Sequence, residues 1–362
     1  MKSIALAAGG TAGHIQPALA CARTLKRKSS ELDIFFIGTS RGLEQQLIPS
    51  TGFELNLIPA VMLPRKLSLG IIFFPFKLIQ SISIALKIFK EKNVGCVVGF
   101  GAYVSLPCYI AAFLKRIPVI VHEGNKKSGF ANRIGALIAK QVFQMFPGSI
   151  RNAQTVGMPI GPELKGFQKE SLKLEALKYF NLNEKYKTLL VVGGSQGARS
   201  INHAIEEIIP LLNGKDIQVI HAVGKKNEIK QDLNSYSFYH PYSYIERMDL
   251  AYAVSDLVVS RAGAMTIAEQ SVLGIPAIYV PFAVGNGEQI FNVQELINSG
   301  AGFLVLDSDL SGQKIYDLIT KNIFDEKKLN NMSQIAKSFG LIDADIEITN
   351  KVLELLNSGK NL

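Results

Sequence analysis

Twice in this chain a short apolar run enters a Gly-Gly-x-x-Gly turn and leaves it as an amphipathic helical stretch. The two copies are "KSIALAAGGTAGHIQPALACARTL" (2–25) and "KTLLVVGGSQGARSINHAIEEII" (187–209). Each is followed by a second apolar run, "DIFFIGTS" (33–40) and "IQVIHAVG" (217–224). Runs of the same kind recur at "VGCVVGFG", "PVIVHEG", "QVFQMF", "LVVSRAG" and "PAIYVPF". They are too short for helices and do not alternate with polar residues. Strands of this type are buried on both faces, as in parallel sheets covered by helices. The chain therefore reads as two βαβ-built, doubly wound domains.

The boundary falls where Pro159, Gly161 and Pro162 interrupt structure. This predicts domains at 1–160 and 161–340, followed by a segment 341–362 that holds one helix. In that helix Ile348, Val352, Leu355 and Leu356 share a core-like spacing. Periodicity does not say which domain it packs on.

With 362 residues, 48% of them hydrophobic, the chain is long enough for two ordinary cores. Cys21, Cys96 and Cys108 are isolated, which excludes a disulfide framework or a CxxC zinc site and points to a reducing compartment. The first residues lack the features of a signal peptide, so a cytoplasmic location is expected. Charge is unevenly spread. Residues 1–160 carry 19 Lys+Arg against 6 Asp+Glu, a balance of +13, and the remainder carries −4 of the total +9. A basic first half suits a polyanion or an anionic membrane surface. No nucleic-acid module is recognisable, so no nucleic-acid partner is expected.

One stretch, "LSLGIIFFPFKLIQSISIALKIFK" (67–90), is long enough to span a bilayer. Lys77 would then lie near the midplane, at a cost of roughly 2.5–3.5 kcal/mol. Gly70 and Pro75 suggest a loop instead, with a helix starting at about Pro75. Leu78, Ile79, Ile82, Leu86 and Phe89 would form its core stripe. Leu69, Ile71, Ile72, Phe73 and Phe74, ringed by lysines and arginines, form an apolar wedge suited to a lipid interface. Peripheral membrane contact is the expectation.

Glycine turns opening helices present N–H groups to an anion. A dinucleotide site would also need an acidic residue ending the second strand. Neither "IGTSRG" (37–42) nor "AVGKKN" (222–227) supplies one, and neither loop has a Walker A lysine. NAD and ATP hydrolysis are disfavoured, while a diphosphate ligand stays open. In "SRAGAMTIAEQSVLGIPAIYVPF" (260–282), a helix beginning near Met265 or Thr266 offers a phosphate site, with Glu269 placed to accept ribose hydroxyls. "NGEQIFNV" adds Glu288, Gln289 and Asn292 for sugar hydroxyls.

The ordered set "GGTAGHIQP" (9–17), "HEGN" (122–125), "VVGGSQGAR" (191–199) and "RAGAMTIAE…GIPAIYVPF" (261–282) resembles the MurG family, glycosyltransferases of family 28. These move N-acetylglucosamine (GlcNAc) from UDP-GlcNAc to lipid-linked muramyl-pentapeptide, lipid I, making lipid II of peptidoglycan. The resemblance runs from Ala7 to about Val305. It implies a GT-B fold, with two Rossmann-like domains around a cleft and the final helix returning to the N-terminal one. It implies that the C-terminal domain takes UDP-GlcNAc and the N-terminal domain takes the acceptor, at the cytoplasmic face of an anionic membrane. By resemblance, Thr11, Ala12, Gly13 and Asn125 contact donor or diphosphate, and Ser195 lies by the donor phosphates. Ile245 meets the uracil, and Ala264, Met265, Thr266, Ile267, Ala268 and Glu269 hold phosphate and ribose. Gln289 binds GlcNAc, and Gly10 and Tyr103 face the acceptor.

The chain departs from the family in places. It reads "GMPIGP" (157–162) where an arginine usually follows a Gly-Asn-Pro turn, leaving Arg199 or Arg261 as possible replacements. Gly124 and Glu288 stand where glutamines are usual.

The implied reaction is an inverting displacement. His14, near a helix start whose dipole favours neutral imidazole, is the expected base. His122 is the rival, expected to be structural. Leaving-group charge falls on N–H groups at the Ser195 loop and near Thr266. No Asp-x-Asp motif is read in the chain, so no obligatory metal or other cofactor is expected. Two alternatives stay open: another UDP-sugar-dependent glycolipid transferase of this fold, and a non-catalytic binder of nucleotide sugars or lipid diphosphates.

Overall fold

The computed structural model describes residues 2–61, 70–194, 197–282 and 287–358. It divides into two compact units, Met1–Gly161 with Leu341–Leu362, and Pro162–Gly340.

In unit 1, strands β1 (Ser3–Ala7) and β2 (Ile34–Gly38) flank helix α1 (Ala12–Lys28) in sequence. A four-residue helix α2 (Glu44–Leu47) leads to β3 (Glu54–Leu57). Then follow α3 (Gly70–Glu91), β4 (Val94–Gly99), α4 (Ala102–Leu114), β5 (Val119–Glu123), α5 (Phe130–Ala136), β6 (Gln141–Gln144) and β7 (Gln154–Thr155). The seven strands are parallel in the order β3-β2-β1-β4-β5-β6-β7. The apolar runs become its central strands: every residue of β1, β2, β4 and β5 is buried.

Unit 2 opens with α6 (Pro162–Lys165) and α7 (Lys169–Tyr179), then β8 (Lys187–Val192), α8 (Arg199–Ile208), β9 (Ile217–Ala222), β10 (Tyr239–Tyr242), α9 (Met248–Val254) and β11 (Leu257–Ser260). It closes with α10 (Ala264–Leu273), β12 (Ala277–Tyr279), α11 (Glu288–Asn298), β13 (Gly302–Leu304), α12 (Gly312–Asn322) and α13 (Glu326–Ser338). Its six-stranded sheet runs β10-β9-β8-β11-β12-β13, again parallel.

The last helix, α14 (Ala344–Ser358), belongs to unit 1. Its buried Ala344, Ile348, Val352 and Leu356 join the core formed by Leu6, Leu19, Leu25 and Val98. Burial of each large aliphatic side chain contributes about 1.5–3 kcal/mol. A buried hydrogen bond, Thr24 Oγ1 donating to Asp345 at 2.5 Å, fixes α14 against α1.

The structure corrects two expectations about 67–90. Helix α3 starts at Gly70, with Pro75 inside it rather than at its start. Proline removes one backbone N–H, and the rest of a 22-residue helix outlasts that loss. The face turned inward carries Ser81, Ala85, Ile88 and Phe89, while Ile79 is 62% exposed. Ser81 donates to Pro59 O at 2.9 Å, which lets a polar residue occupy the core face. Among the described residues no helix is long and apolar enough to cross a membrane.

Candidate active site

Both sheets have a switch point where chain direction across the sheet reverses: between β1 and β4 in unit 1, and between β8 and β11 in unit 2. Such crevices at strand carboxyl ends are where open α/β sheets bind ligands.

In unit 1, Gly10 (φ +81°) turns the chain out of β1, and Thr11 caps α1. Thr11 Oγ1 lies 3.2 Å from His14 Nδ1. Thr11 and Gly13 are exposed, and Ala12 and His14 are half-buried. Across the switch point Gly101 (φ +90°) and Ala102 (φ +63°) start α4 in left-handed geometry. That conformation costs a residue with a Cβ roughly 1–2 kcal/mol. A Cβ on Gly101 would lie 3.2 Å from both His14 Cδ2 and Asn132 Nδ2, so glycine lets the His14 ring come close. Tyr103, 40% exposed, follows directly.

Beyond β5 the chain folds around the buried Glu123. Its carboxylate accepts from Asn125 N (2.8 Å), Gly129 N (2.9 Å) and Asn132 Nδ2 (3.0 Å). Burial raises its pKa despite these donors. Tyr109 donates to Asn132 Oδ1 at 2.8 Å and completes the support under Asn125. His122 is buried, with Nε2 donating to Gly157 O at 2.8 Å, and burial lowers its pKa to about 4. It is neutral and turned inside, whereas His14 is half-buried.

The reading of the β2 end needs correction, because a carboxylate does follow that strand. Glu44 is fully buried and accepts from Gly10 N (2.8 Å), Thr39 N (2.9 Å) and Thr39 Oγ1 (2.8 Å). It stands six residues past the strand and turns back under the glycine loop, so a search of the first residues after β2 misses it.

In unit 2, Ser195 falls outside the described residues, between Gly194 (φ +95°) and Gly197 (φ +76°). Helix α10 begins at Ala264, and Ile267 N donates to Gly263 O at 2.9 Å. The N–H groups of Ala264, Met265 and Thr266 therefore lack intrahelical acceptors, the arrangement that a helix N-terminus can offer to an anion. Ile267 and Ala268 are buried, so the side chains that can meet a ligand near this helix start include Glu269 one turn on. Glu269 Oε2 accepts from the buried Tyr252 hydroxyl at 3.1 Å. Burial raises its pKa to about 7, against the opposing pull of that hydrogen bond. Ile245 is buried in the loop after β10. Gln289 Oε1 accepts from Phe282 N at 2.9 Å, Glu288 is half-buried, and Asn292 is buried.

Arg261 is not free to replace the missing phosphate contact. Its guanidinium pairs with Asp307 at 2.5 Å and donates to Val280 O (3.1 Å) and Ser200 Oγ (2.8 Å). The reading that no Asp-x-Asp motif occurs needs correction: there are two such triplets, 307–309 and 343–345, and Asp307 belongs to the first. Asp345 of the second is taken by Thr24. Among the described residues no group of three or more His, Cys, Asp or Glu could hold a metal ion.

Of the proposed wedge, Leu69 lies outside the described residues, as do the side chains of Ile71, Ile72 and Phe73, and Phe74 is half-buried. Sequence reasoning passed over Phe76, Phe113 and Leu114, which are 68%, 61% and 60% exposed, and placed Ile79, 62% exposed, in a core stripe.

Two parallel doubly wound units with glycine loops at their switch points match the GT-B architecture, and the comparisons place the chain among its glycosyltransferases. The model of the glycosyltransferase family 28 N-terminal domain matches residues 4–144, and that of the family's C-terminal domain matches 188–347. A Streptomyces coelicolor protein is 43% identical, with 98% of each chain covered. A Corynebacterium diphtheriae protein is 42% identical, covering 98% of this chain and 97% of its own. Both are named UDP-N-acetylglucosamine–N-acetylmuramyl-(pentapeptide) pyrophosphoryl-undecaprenol N-acetylglucosamine transferase. The crystal structure of Acinetobacter baumannii MurG superposes with a TM-score of 0.79 at 27% identity, covering 98% of this chain and 100% of that one. The chain belongs to glycosyltransferase family 28, in its MurG group.

Proposed function

We propose that this chain transfers GlcNAc from UDP-GlcNAc to the C4 hydroxyl of the muramyl sugar of lipid I, forming lipid II for peptidoglycan. The observation that carries this reading is identity above 40% along the whole length with relatives bearing that activity in their names.

The divergent charge of the halves supports a division of labour. Residues 1–160, at +13, take the lipid diphosphate and meet the cytoplasmic face of an anionic membrane as a peripheral protein. Exposed Phe76 and Ile79 on α3, Phe113 and Leu114 at the end of α4, and the nearby Lys77, Lys115 and Arg116 form the contact, with the wedge at 69–74. Unit 2 takes UDP-GlcNAc. Phosphate oxygens meet the Ser195 loop, the N–H groups of Ala264, Met265 and Thr266, and the exposed Arg199 in the first turn of α8. Glu269 accepts the ribose hydroxyls, Ile245 borders the uracil, and Gln289 borders the GlcNAc. Thr11, Ala12, Gly13 and Asn125 complete the diphosphate contacts, and Gly10 and Tyr103 face the acceptor.

In the reaction the acceptor C4 oxygen attacks the anomeric carbon as the bond from that carbon to the UDP oxygen breaks. UDP leaves with the bonding electrons, and the hydroxyl proton passes to His14. Inversion of UDP-α-GlcNAc gives a β-linkage. Charge on the departing diphosphate is met by fixed N–H groups rather than by a required metal. The test is transfer of labelled GlcNAc from UDP-GlcNAc to a lipid I analogue. Labelled lipid II is expected. Bound UDP without transfer would favour a nucleotide-sugar binding protein, and transfer only from UDP-galactose or to another lipid would favour a different glycolipid transferase.

A further inference from the structure

In unit 1 a buried carboxylate occupies the place where a dinucleotide-binding domain would receive its ligand. The glycine turn of such a domain takes a pyrophosphate on its N–H groups, and a carboxylate at the second strand's end takes a ribose. Here Glu44 turns away from any ribose and accepts the Gly10 N–H itself, at 2.8 Å. The surroundings are built for it. A Cβ on Gly9 would lie 2.7 Å from Glu44 Oε1, one on Gly38 2.8 Å from Cγ, and one on Gly42 would overlap Oε2. Thr39 holds the other oxygen through both its N–H and its hydroxyl, and Leu43 N donates to Gly10 O at 3.3 Å. The loop 9–13 is thus clamped from below to the segment 38–44, and His14 stands one residue beyond it.

Among the described residues unit 2 shows no such arrangement. After β9 the side chain against the glycine loop is the neutral amide of Asn227, which donates to Val223 O at 2.7 Å. A Cβ at Gly197 would overlap both Val223 O and Asn227 Nδ2. The second loop packs closely against an amide at Gly197, whereas the first is hydrogen-bonded to a carboxylate at Gly10.

We propose that Glu44 is a positioning residue. It supplies from within the chain the anion for the first glycine loop, and so fixes the loop that aims His14 at the acceptor hydroxyl. This rests on His14 being the base. A charge-assisted hydrogen bond in a dry interior is stronger than a neutral one, so the loop is held in one arrangement before substrate arrives.

Glu44→Gln is the informative change, because it keeps the shape but offers a single acceptor oxygen, so either the Gly10 N–H or the Thr39 N–H is left facing an NH2 group. The expected result is a fall in kcat of about 10²-fold, the usual cost of misplacing a reacting group, with the KM for UDP-GlcNAc unchanged. In the His14→Ala background the same change should cost nothing further, since both act through one group. Full kcat in Glu44→Gln, or equal losses with and without His14, would overturn the proposal. Should the variant not fold, Gly10 amide hydrogen exchange in the wild-type chain decides. Slow exchange is expected, and exchange as fast as in an open loop would overturn it. Normal turnover in His14→Ala would remove the base assignment, leaving the Gly10 exchange to report separately on the clamp.

Discussion

The two units share a sheet plan and a glycine loop at the same switch point, yet their loops are finished differently. In unit 1 the loop carries a histidine and is closed from below by Glu44. In unit 2 Asn227 packs closely against the loop at Gly197, and the nearby helix α10 carries Glu269, which has no cation against it among the described residues and a pKa raised by burial to about 7. A repeated scaffold thus yields one half suited to proton transfer and one suited to holding an anion and a diol. The difference lies in which side chains fill the same crevice, in keeping with function being carried by sites rather than folds.

The sharpest break of this comparison is His14→Ala, which should lower kcat by roughly 10²–10⁴-fold, the span of a general base's contribution. UDP-GlcNAc turnover measured against lipid I analogue reads it, and near-normal turnover would take proton transfer away from unit 1. A second comparison concerns stability. Ile348→Ala in α14 removes a fully buried side chain from the unit 1 core and should cost about 2–5 kcal/mol. Limited proteolysis should then cut unit 1 at lower denaturant than unit 2. Simultaneous loss of both would mean that α14 supports the whole chain equally.

Each unit also buries a neutral histidine. Burial lowers His122 to about 4 and His221 to about 3. The unfolded chain takes up these protons near pH 6.5 while the folded chain refuses them. Stability is therefore full above about 6.5 and falls on acidification toward pH 4 and pH 3, by about 1.4 kcal/mol per pH unit for each histidine. Urea midpoints between pH 7 and pH 5 check this, and a flat profile in either unit would break the symmetry. Glu269 runs in the opposite sense. Its raised pKa contributes stability at low pH that is lost as pH rises through about 7. Only the ionised form accepts both ribose hydroxyls, so UDP affinity should rise severalfold between pH 6 and pH 8. Calorimetry on Glu269→Gln should show that portion of the pH dependence gone, and an unchanged slope would remove Glu269 from the ribose.

The parallel sheets were legible because unbroken apolar runs such as "SIALA" and "TLLVV" admit few other environments. Helix α3 was legible only in part: Ile82, Leu86 and Phe89 pack on the core as their spacing predicts, but Ser81 rather than Ile79 faces inward, where Pro59 O gives its hydroxyl a partner. The loops at the strand ends were visible, and so was the histidine. Glu44 was hidden by its distance along the chain, since only folding brings it back under Gly10. Arg261 reads as a cation open to phosphate until Asp307, 46 residues on, is seen to claim it. Burial and long-range pairing set both residues' roles, and neither is written in local spacing.

The central claim is that one unit holds the nucleotide and the other supplies the base. Calorimetric titration of UDP into the wild-type, His14→Ala and Glu269→Ala chains tests it most directly. One UDP per chain is predicted, with affinity preserved in His14→Ala and weakened in Glu269→Ala. Two UDP per chain, or loss of binding on His14→Ala with binding intact in Glu269→Ala, would contradict it.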